Sequence, residues 1–388
     1  MALSGFRKKK SGDEKATCIK QWEHTLALWM SSPREAIARA RRSARREGIP
    51  AQIRAKAWFA LVGNPVRVTP RLYDILLDSV KTEVDLLPQT PGTPSASWRA
   101  SRDASEAKSH AYNNPIKTTD DCSRGGSAGG NLLSPPPRVR LRKQGSLDTE
   151  GSVCGDLEIP KLIRTDINRT FAHLSFFQRG CLLHDQLMEL LCVYAKYRPD
   201  VGYIQGMSFV AGHLLLYFED VYMAFVVLAN LLNMPLFSTL FKPKASRHAF
   251  TEIYNLHREL LESHLPHLAH HFHEEGIEPD LYMLEWLITL FARRLRLDTL
   301  GRVWDMYLTH GEVFVHKVAI AIVKILEKAL LSTGFAGCLK ILKESPASID
   351  PQTLIATCEG IRLRSSDLTQ LTETHMKEGG RGHYISEA

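Results

Sequence analysis

The sequence lacks several features that would assign it at once to a familiar class. Its seven cysteines form no CxxC pair and no metal-ligand spacing, which argues against a disulfide scaffold or a zinc framework. No apolar run follows the lysines near the N-terminus, and residue 2 is alanine. We therefore expect neither a signal peptide nor myristoylation. This pattern is typical of a reducing compartment, and we expect a cytoplasmic protein.

Long uninterrupted apolar segments are also missing. The most apolar stretch, residues 209–234, is interrupted by His213, Glu219 and Asp220. A membrane-spanning helix needs about 20 predominantly apolar residues. The interruptions therefore predict a buried pair of helices instead.

Two kinds of nucleotide and metal motif are absent. There is no phosphate-binding GxxxxGK[ST] loop, since the glycine-rich run 125–130 lacks the lysine, and there is no HExxH. His267 and His271 have a helical spacing compatible with metal, but no cysteine lies nearby. We favour a polar helix face and predict no metal site and no cofactor of the chain's own. The histidines that cluster here are His257, His264, His267, His270, His271 and His273.

The composition itself is ordinary for a soluble globular protein: 388 residues, 44% hydrophobic and 23% charged. The net charge of +7 is concentrated in residues 8–10, 34–46 and 138–143. Such charge fits an anionic membrane, nucleic acid or an acidic protein surface, although a solvated helix face is the commoner reason for a charge run. No base-reading motif is present, so we expect no nucleic acid. Peripheral contact with anionic membrane is a secondary prediction.

Helical periodicity occupies two regions of the chain. It runs from Trp22 to about residue 87, with Pro33 at a first helical position and Gly48-Ile49-Pro50 ending one helix before the next. It returns from about residue 160 to 331. No convincing β-alternation appears, so the predicted fold class is all-α.

Between these regions the composition changes to Ser, Gly, Pro and charged residues, which predicts a disordered insertion. Ser134 and Ser146 within it stand in short matches to phosphorylation motifs. The predicted organisation is a basic tail, a first helical part, the insertion, a main helical part, and a C-terminal helical segment with a polar tail: 1–19, 20–87, 88–155, 156–335 and 336–388.

Ile163, Asp166 and Arg169 recur at three-residue spacing and can share one helix face. The carboxylate can then fix where the long arginine side chain points. The alternative is an exposed ion pair that stabilises a helix by a few tenths of a kcal/mol.

A second segment is a turn rich in Pro, Asp and Gly that leads into a helix, residues 197–209. It places Gln205 near a helix N-terminus, where a carboxamide can orient a water and bridge to a phosphate. Gly206 would permit close approach of a partner's backbone. The alternative is a glutamine that caps or packs the turn.

Taken together, these segments resemble the paired motifs of the TBC-domain family, the Rab GTPase-activating proteins. The pair is IxxDxxR at residues 163–169 followed by YxQG at 203–206. Upstream, residues 48–58 resemble the GIPxxxRxxxW opening of that family, with Ala55 where glycine is frequent. Downstream, residues 286–291 and 302–305 resemble its WxxxLF and WD segments. The likeness spans roughly residues 22–331 without the insertion.

The resemblance implies a multi-helix TBC-type domain that accelerates GTP hydrolysis by a Rab. Arg169 would be a finger that stabilises transition-state charge, and Gln205 a second finger that positions the water. Asp166 would hold Arg169, while Tyr203, Gly206 and Arg198 would support the turn. The motif residues with a structural role would be Gly48, Pro50, Arg54, Trp58, Trp304 and Asp305.

In this interpretation GTP and Mg²⁺ belong to the partner, a Rab in its GTP-bound state, and the protein regulates vesicle trafficking, with peripheral endomembrane association. The chain would be an activator without a self-contained active site. The alternative hypothesis is a TBC-fold scaffold that binds a Rab without accelerating it.

Overall fold

Most of the helices lie in the two regions of the sequence that show helical periodicity. A computed structural model describes residues 12–85, 158–241 and 247–363. Within these ranges the regular structure is helical and contains no strand, which confirms the all-α prediction. The predicted insertion 88–155, together with residues 1–11 and 364–388 of the two predicted tails, lies outside the described residues.

The α-helices, numbered along the described chain, are α1 (Gly12–Ala27), α2 (Pro33–Arg46), α3 (Arg54–Val62), α4 (Pro70–Asp85), α5 (Ile159–Ile167), α6 (Leu182–Tyr197), α7 (Met207–Leu215), α8 (Val221–Leu231), α9 (Pro235–Leu240), α10 (Arg247–His264), α11 (Pro266–Glu274), α12 (Met283–Ile288), α13 (Leu297–His310), α14 (Val313–Leu330), α15 (Phe335–Glu344) and α16 (Pro351–Gly360). Short 3₁₀ turns occur at Ala51–Ile53, Ser175–Phe177, Pro279–Leu281 and Ser345–Ser348.

The apolar stretch at 209–234 forms two buried helices, as predicted. Every residue of α7 is buried, and so is most of α8. A helix that is apolar on all sides belongs in a protein core. Asp220 marks the break between the two, because its carboxylate accepts the Tyr222 N–H at 2.9 Å and caps α8. None of the helices in the described ranges has the length and apolar character that crossing a bilayer requires.

The arginine-rich run 34–46 is an amphipathic helix, in agreement with the solvated-face interpretation. In α2, Ala36, Ala40 and Ala44 are buried, and α13 packs against the helix. Pro33 is its first residue, as predicted. α1 begins at Gly12, inside the segment predicted as a polar tail, and buries Cys18 and Trp22.

The chain leaves α2 through Gly48, whose φ of 77° lies in the left-handed region. A Cβ on Gly48 would lie 2.8 Å from Cδ of Arg302, so the position also needs a residue without a side chain. Arg302 donates to the Ala44 carbonyl at 2.8 Å and so satisfies an end of α2. Pro50 follows in an extended conformation and leads into the 3₁₀ turn Ala51–Ile53.

A fully buried carboxylate, Asp305, joins the start of the chain to its later half. It accepts hydrogen bonds from Arg54 Nη2 at 3.0 Å, from Trp58 Nε1 at 2.9 Å and from the Ile49 amide at 2.9 Å. The rings of Trp58 and Trp304 lie 5.3 Å apart beside it. The GIPxxxRxxxW and WD segments therefore meet in one core, which we call the Asp305 hub (Ile49, Arg54, Trp58, Trp304 and Asp305).

The predicted polar histidine face is only partly right. His267, His270 and His273 are exposed on α11, but His257 is fully buried on α10. His257 Nε2 lies 2.8 Å from the Tyr282 hydroxyl, and burial lowers the pKa of His257 to about 3. The periodicity of a short histidine-rich segment cannot show which histidine turns inward.

Candidate functional site

The two candidate motifs lie side by side at one end of the helix pair formed by α5 and α7. Arg169 lies two residues beyond the end of α5, and Gln205 lies two residues before the start of α7. Both helices pack against α6, and they also contact each other. Packing on a common neighbour thus brings together segments that are more than thirty residues apart in sequence.

The Asp166 carboxylate is the centre of the site. One oxygen, Oδ1, accepts a hydrogen bond from Nε of Arg169. The other, Oδ2, accepts from the Tyr203 hydroxyl, from the Gly206 amide at 2.8 Å and from the Ser208 hydroxyl at 3.2 Å. A single carboxylate is therefore bonded both to the arginine of the first motif and to the turn of the second.

The surroundings of Asp166 favour its ionised form. Burial alone would raise the pKa of this carboxyl, but hydrogen bonds from Tyr203, Gly206 and Arg169, with the charge of Arg169, outweigh it and lower the pKa below its ordinary value. Burial, followed by the neighbouring Asp166 charge, raises the pKa of Tyr203, so that hydroxyl stays protonated as a donor. The network is thus centred on a carboxylate whose ionised form is favoured.

Arg169 and Gln205 meet at the surface. Asp166 is only 2% exposed, whereas the Arg169 side chain is 41% exposed and Gln205 is exposed as well. Turned so that its oxygen faces the guanidinium, the Gln205 carboxamide accepts from Nη1 of Arg169 at 2.8 Å and also from Nη2. A cation and a carboxamide therefore share one solvent-facing position above a buried anchor.

The glutamine turn depends on Gly206. This residue has a φ of 103°, which favours glycine, and it is buried. A Cβ there would lie 3.1 Å from Cγ2 of Ile288 and 3.3 Å from Cγ2 of Thr289. The close approach that Gly206 permits is therefore to the end of α12 in this chain, whereas the sequence suggested a partner's backbone.

Arg198 and Tyr203 have different positions in the turn. Arg198 donates from Nε and Nη2 to Asp200 at 2.8 and 2.7 Å, at the exposed beginning of the turn. Tyr203 reaches the Asp166 carboxylate and ties the turn to α5. The motif residues with a predicted structural role do not belong to this surface: Gly48, Pro50, Arg54, Trp58, Trp304 and Asp305 lie at or next to the Asp305 hub.

Four residues of the site were missed by sequence reasoning. Thr170 and Ser208 are buried hydroxyls beside Asp166, and Ile288 and Thr289 pack against the turn. The hydroxyls carried a weak signal, since each stands next to apolar residues in a helical segment. Nothing in the sequence indicated that α12 would approach Gly206.

The described residues of this site do not supply the set of ligands that a metal ion needs. Within the described ranges no group of three or more His, Cys, Asp or Glu side chains could hold a metal ion. The prediction that the chain binds no metal or cofactor of its own stays a prediction. The site combines the exposed Arg169 cation, the exposed Gln205 amide and the buried Asp166 carboxylate. That carboxylate accepts hydrogen bonds from the segments that carry both exposed groups.

Comparison with known proteins decides the family. A family model described as the Rab-GTPase-TBC domain matches residues 144–331. The chain is 32% identical over 344 residues to TBC1 domain family member 12 of Xenopus tropicalis, an alignment that covers 88% of this chain and 42% of that protein. The chain belongs to the TBC-domain family.

Other TBC proteins give the same result. TBC1 domain family member 14 of Homo sapiens is 31% identical over 322 residues, covering 82% of this chain and 38% of its own length. The chain thus spans about two fifths of the length of these relatives. The crystal structure of the Chlamydomonas flagellar RabGAP TBC domain superposes with a TM-score of 0.57 at 19% identity, covering 89% of this chain and 94% of that one. This likeness supports the TBC fold.

Proposed function

We propose that this protein is a GTPase-activating protein for a Rab-family small GTPase, with Arg169 and Gln205 supplied in trans to the partner's nucleotide. The observation that carries the proposal is the shared, exposed position of the Arg169 guanidinium and the Gln205 carboxamide above the buried Asp166 carboxylate. The matching family model is the Rab-GTPase-TBC domain, and the similar crystal structure is that of a RabGAP TBC domain, which supports the choice of partner.

The two side chains match the needs of GTP hydrolysis. Phosphoryl transfer spreads negative charge over the equatorial oxygens of the transferring group, and an arginine delivered in trans stabilises that charge. A carboxamide both donates and accepts, so Gln205 can orient the attacking water while it bonds to the phosphate. Arg169 would supply the charge, and Gln205 would replace the water-positioning glutamine of the partner.

Electrostatic preorganisation explains the role of Asp166. A long arginine side chain loses conformational entropy when it is fixed, and Asp166 fixes it before the partner arrives. Because the carboxylate binds Nε, both terminal nitrogens, Nη1 and Nη2, remain on the side where Gln205 lies. A phosphate oxygen of the partner's nucleotide would replace the Gln205 oxygen as the acceptor of hydrogen bonds from these nitrogens.

The partner would bring the rest of the reaction site. GTP and Mg²⁺ would be held by the Rab in its GTP-bound state, and this chain would complete that site without a nucleotide pocket of its own. Through Rab inactivation it would regulate vesicle trafficking from the cytoplasm, with peripheral attachment to endomembranes. The solvated arginines of α2 are the surface we propose for contact with anionic lipid.

The test is single-turnover GTP hydrolysis by a panel of GTP-loaded Rabs with wild-type protein, Arg169→Ala and Gln205→Ala. An arginine finger is worth about 10³ to 10⁵ in rate, so we expect Arg169→Ala to lose most of the acceleration and Gln205→Ala at least roughly tenfold. Arg46→Ala and Gln352→Ala are matched controls, because each removes the same type of exposed side chain from another helix, α2 or α16.

A catalytically silent scaffold is the competing function, and binding separates it from the proposal. If the wild-type protein binds a GTP-loaded Rab but accelerates none, the scaffold hypothesis holds. If acceleration survives Arg169→Ala unchanged, the finger assignment is wrong even though the protein is an activator. Rate loss in both finger variants with binding retained supports the proposal.

A further inference from the structure

Behind the two exposed side chains lie two hydroxyl groups that the proposed mechanism does not use. Ser208 is fully buried on the first turn of α7, and Thr170, which follows Arg169, is 1% exposed. Their oxygens are 2.7 Å apart. A buried hydroxyl without a partner is unfavourable, so the direction of these hydrogen bonds can be worked out from the number of protons.

Three contacts share two protons. Thr170 Oγ1 lies 2.9 Å from the Asp166 carbonyl and 2.7 Å from Ser208 Oγ, and Ser208 Oγ lies 3.2 Å from Asp166 Oδ2. The carboxylate and the carbonyl can only accept, whereas each hydroxyl has one proton. The Asp166 carbonyl accepts the Arg169 amide at 3.1 Å, so it keeps a hydrogen-bond donor when the Thr170 proton points to Ser208.

The favoured arrangement is therefore a directed chain: Thr170 donates to Ser208, and Ser208 donates to the Asp166 carboxylate. A hydrogen bond to an ionised group is stronger than one between neutral groups, and each member of a chain polarises the next. The reverse direction would leave a hydroxyl oxygen facing a carboxylate oxygen without a proton between them. The first direction thus has the lower free energy.

This hydrogen-bond chain ends on the Asp166 carboxylate, the group that links both motifs. Oδ2 of Asp166, which receives the Ser208 proton, also receives the Gly206 amide, and Gly206 is the residue next to Gln205. Rotation of the carboxylate away from this position would disturb the Arg169 contact to Oδ1 and the Gln205 turn together. Ser208 opposes that rotation from the buried side.

We propose that Ser208, backed by Thr170, is a positioning residue that sets the orientation of the Asp166 carboxylate and, through it, of both Arg169 and Gln205. The catalytic half of this inference depends on the proposed function. The structural half, that the two hydroxyls hold the turn, does not. The two halves can therefore be measured separately.

The structural measurement is amide hydrogen exchange by mass spectrometry on the protein alone. We expect Ser208→Ala and Thr170→Val to speed exchange several-fold in peptides covering residues 203–208, because the Gly206 amide loses a firmly held acceptor. Thr170→Ser keeps the hydroxyl and should exchange as the wild type does. Thr309→Val is the matched control, since Thr309 is also buried and donates to the carbonyl of an aspartate four residues earlier, Asp305, at 2.7 Å.

The catalytic measurement is GTP hydrolysis with the Rab that responds best to the wild type. We expect Ser208→Ala and Thr170→Val to lower kcat about tenfold with KM within about twofold, and Thr170→Ser to restore most of kcat. In an Arg169→Ala background, Ser208→Ala should cost much less, because the two act through one unit.

The outcomes separate the two claims. Unchanged exchange at 203–208 in both Ser208→Ala and Thr170→Val overturns the positioning role. Equal effects of Thr170→Val and Thr170→Ser also overturn it, since packing rather than the hydroxyl would then matter. If exchange changes as expected but the wild type accelerates no Rab, the hydroxyl pair stands and the proposed function fails.

Discussion

Replacing Asp305 by asparagine should severely destabilise the protein. The substitution would keep the shape of the side chain but remove the negative charge opposite Arg54. The Arg54 side chain is 10% exposed and pairs with a fully buried carboxylate. Removing one member of a buried ion pair costs about 3–5 kcal/mol, because the remaining charge is left without compensation. The new amide NH₂ group would in addition face the donors of Trp58 or Ile49, which now bond to the carboxylate.

That loss is large against the free energy of unfolding of a typical domain, about 5–15 kcal/mol. The assay is urea unfolding followed by far-ultraviolet circular dichroism, with the midpoint read at constant slope. Glu359→Gln is the control, because it breaks the largely exposed Arg45–Glu359 pair and should cost about 0–1 kcal/mol. A double-mutant cycle with Arg54→Met should show that the two losses are less than additive.

An Asp305→Asn protein within about 1 kcal/mol of the wild type would contradict this expectation, because that is the cost of losing an exposed pair. The hub would then contribute shape but no net charge stabilisation. Additive losses in the cycle would contradict the idea that Arg54 and Asp305 act as a pair.

Two further predictions concern a glycine and the buried histidines. Gly206→Ala should slow the GTP hydrolysis that this protein stimulates in a Rab, and it should lower stability more than Gly276→Ala. Both glycines have positive φ, but of the two only Gly206 has Ile288 within 4 Å of the added carbon. Equal losses would leave backbone strain as the sole cause. Burial lowers the pKa of His257 to about 3 and of His316 to about 4, so both are neutral when folded and take up protons on unfolding below their ordinary pKa near 6.5. The stability that these two histidines contribute should therefore be fully present above pH 6.5 and be lost towards pH 4. His316→Leu should make the fall in this range shallower by about 1.4 kcal/mol per pH unit, measured by urea unfolding at each pH.

Most of the helical architecture could be predicted from the sequence because it depends on local chemistry. A few adjacent residues are enough to indicate the proline start of α2 and the charged break before α8. The 3.6-residue periodicity indicated the fold class in the same way. The inward turn of His257 could not be predicted, because it depends on what packs against α10 in three dimensions.

The site was predictable in part for the same reason. The spacing of Asp166 and Arg169 is local and could be inferred from a helix face. The bond from Gly206 to Asp166 joins residues forty positions apart, so only the resemblance to a family brought the two motifs together. The approach of Ile288 to Gly206 had no sequence signal at all.

The two buried carboxylates show how one electrostatic device serves two purposes. Asp305 and Asp166 are both almost wholly buried, and each accepts hydrogen bonds from a guanidinium and from a backbone amide. At the Asp305 hub the guanidinium is buried as well, and Arg54 uses Nε, Nη1 and Nη2 on partners within the chain.

At Asp166 the cation instead emerges into solvent, where its terminal nitrogens meet an exposed amide. Water or a ligand can displace such a contact at small cost, because the amide regains hydrogen bonds when it leaves. Burial of the anion fixes where the arginine lies, and exposure of the cation leaves it able to bind. This combination separates Arg169 from the exposed helix ion pair that its spacing alone could equally have indicated.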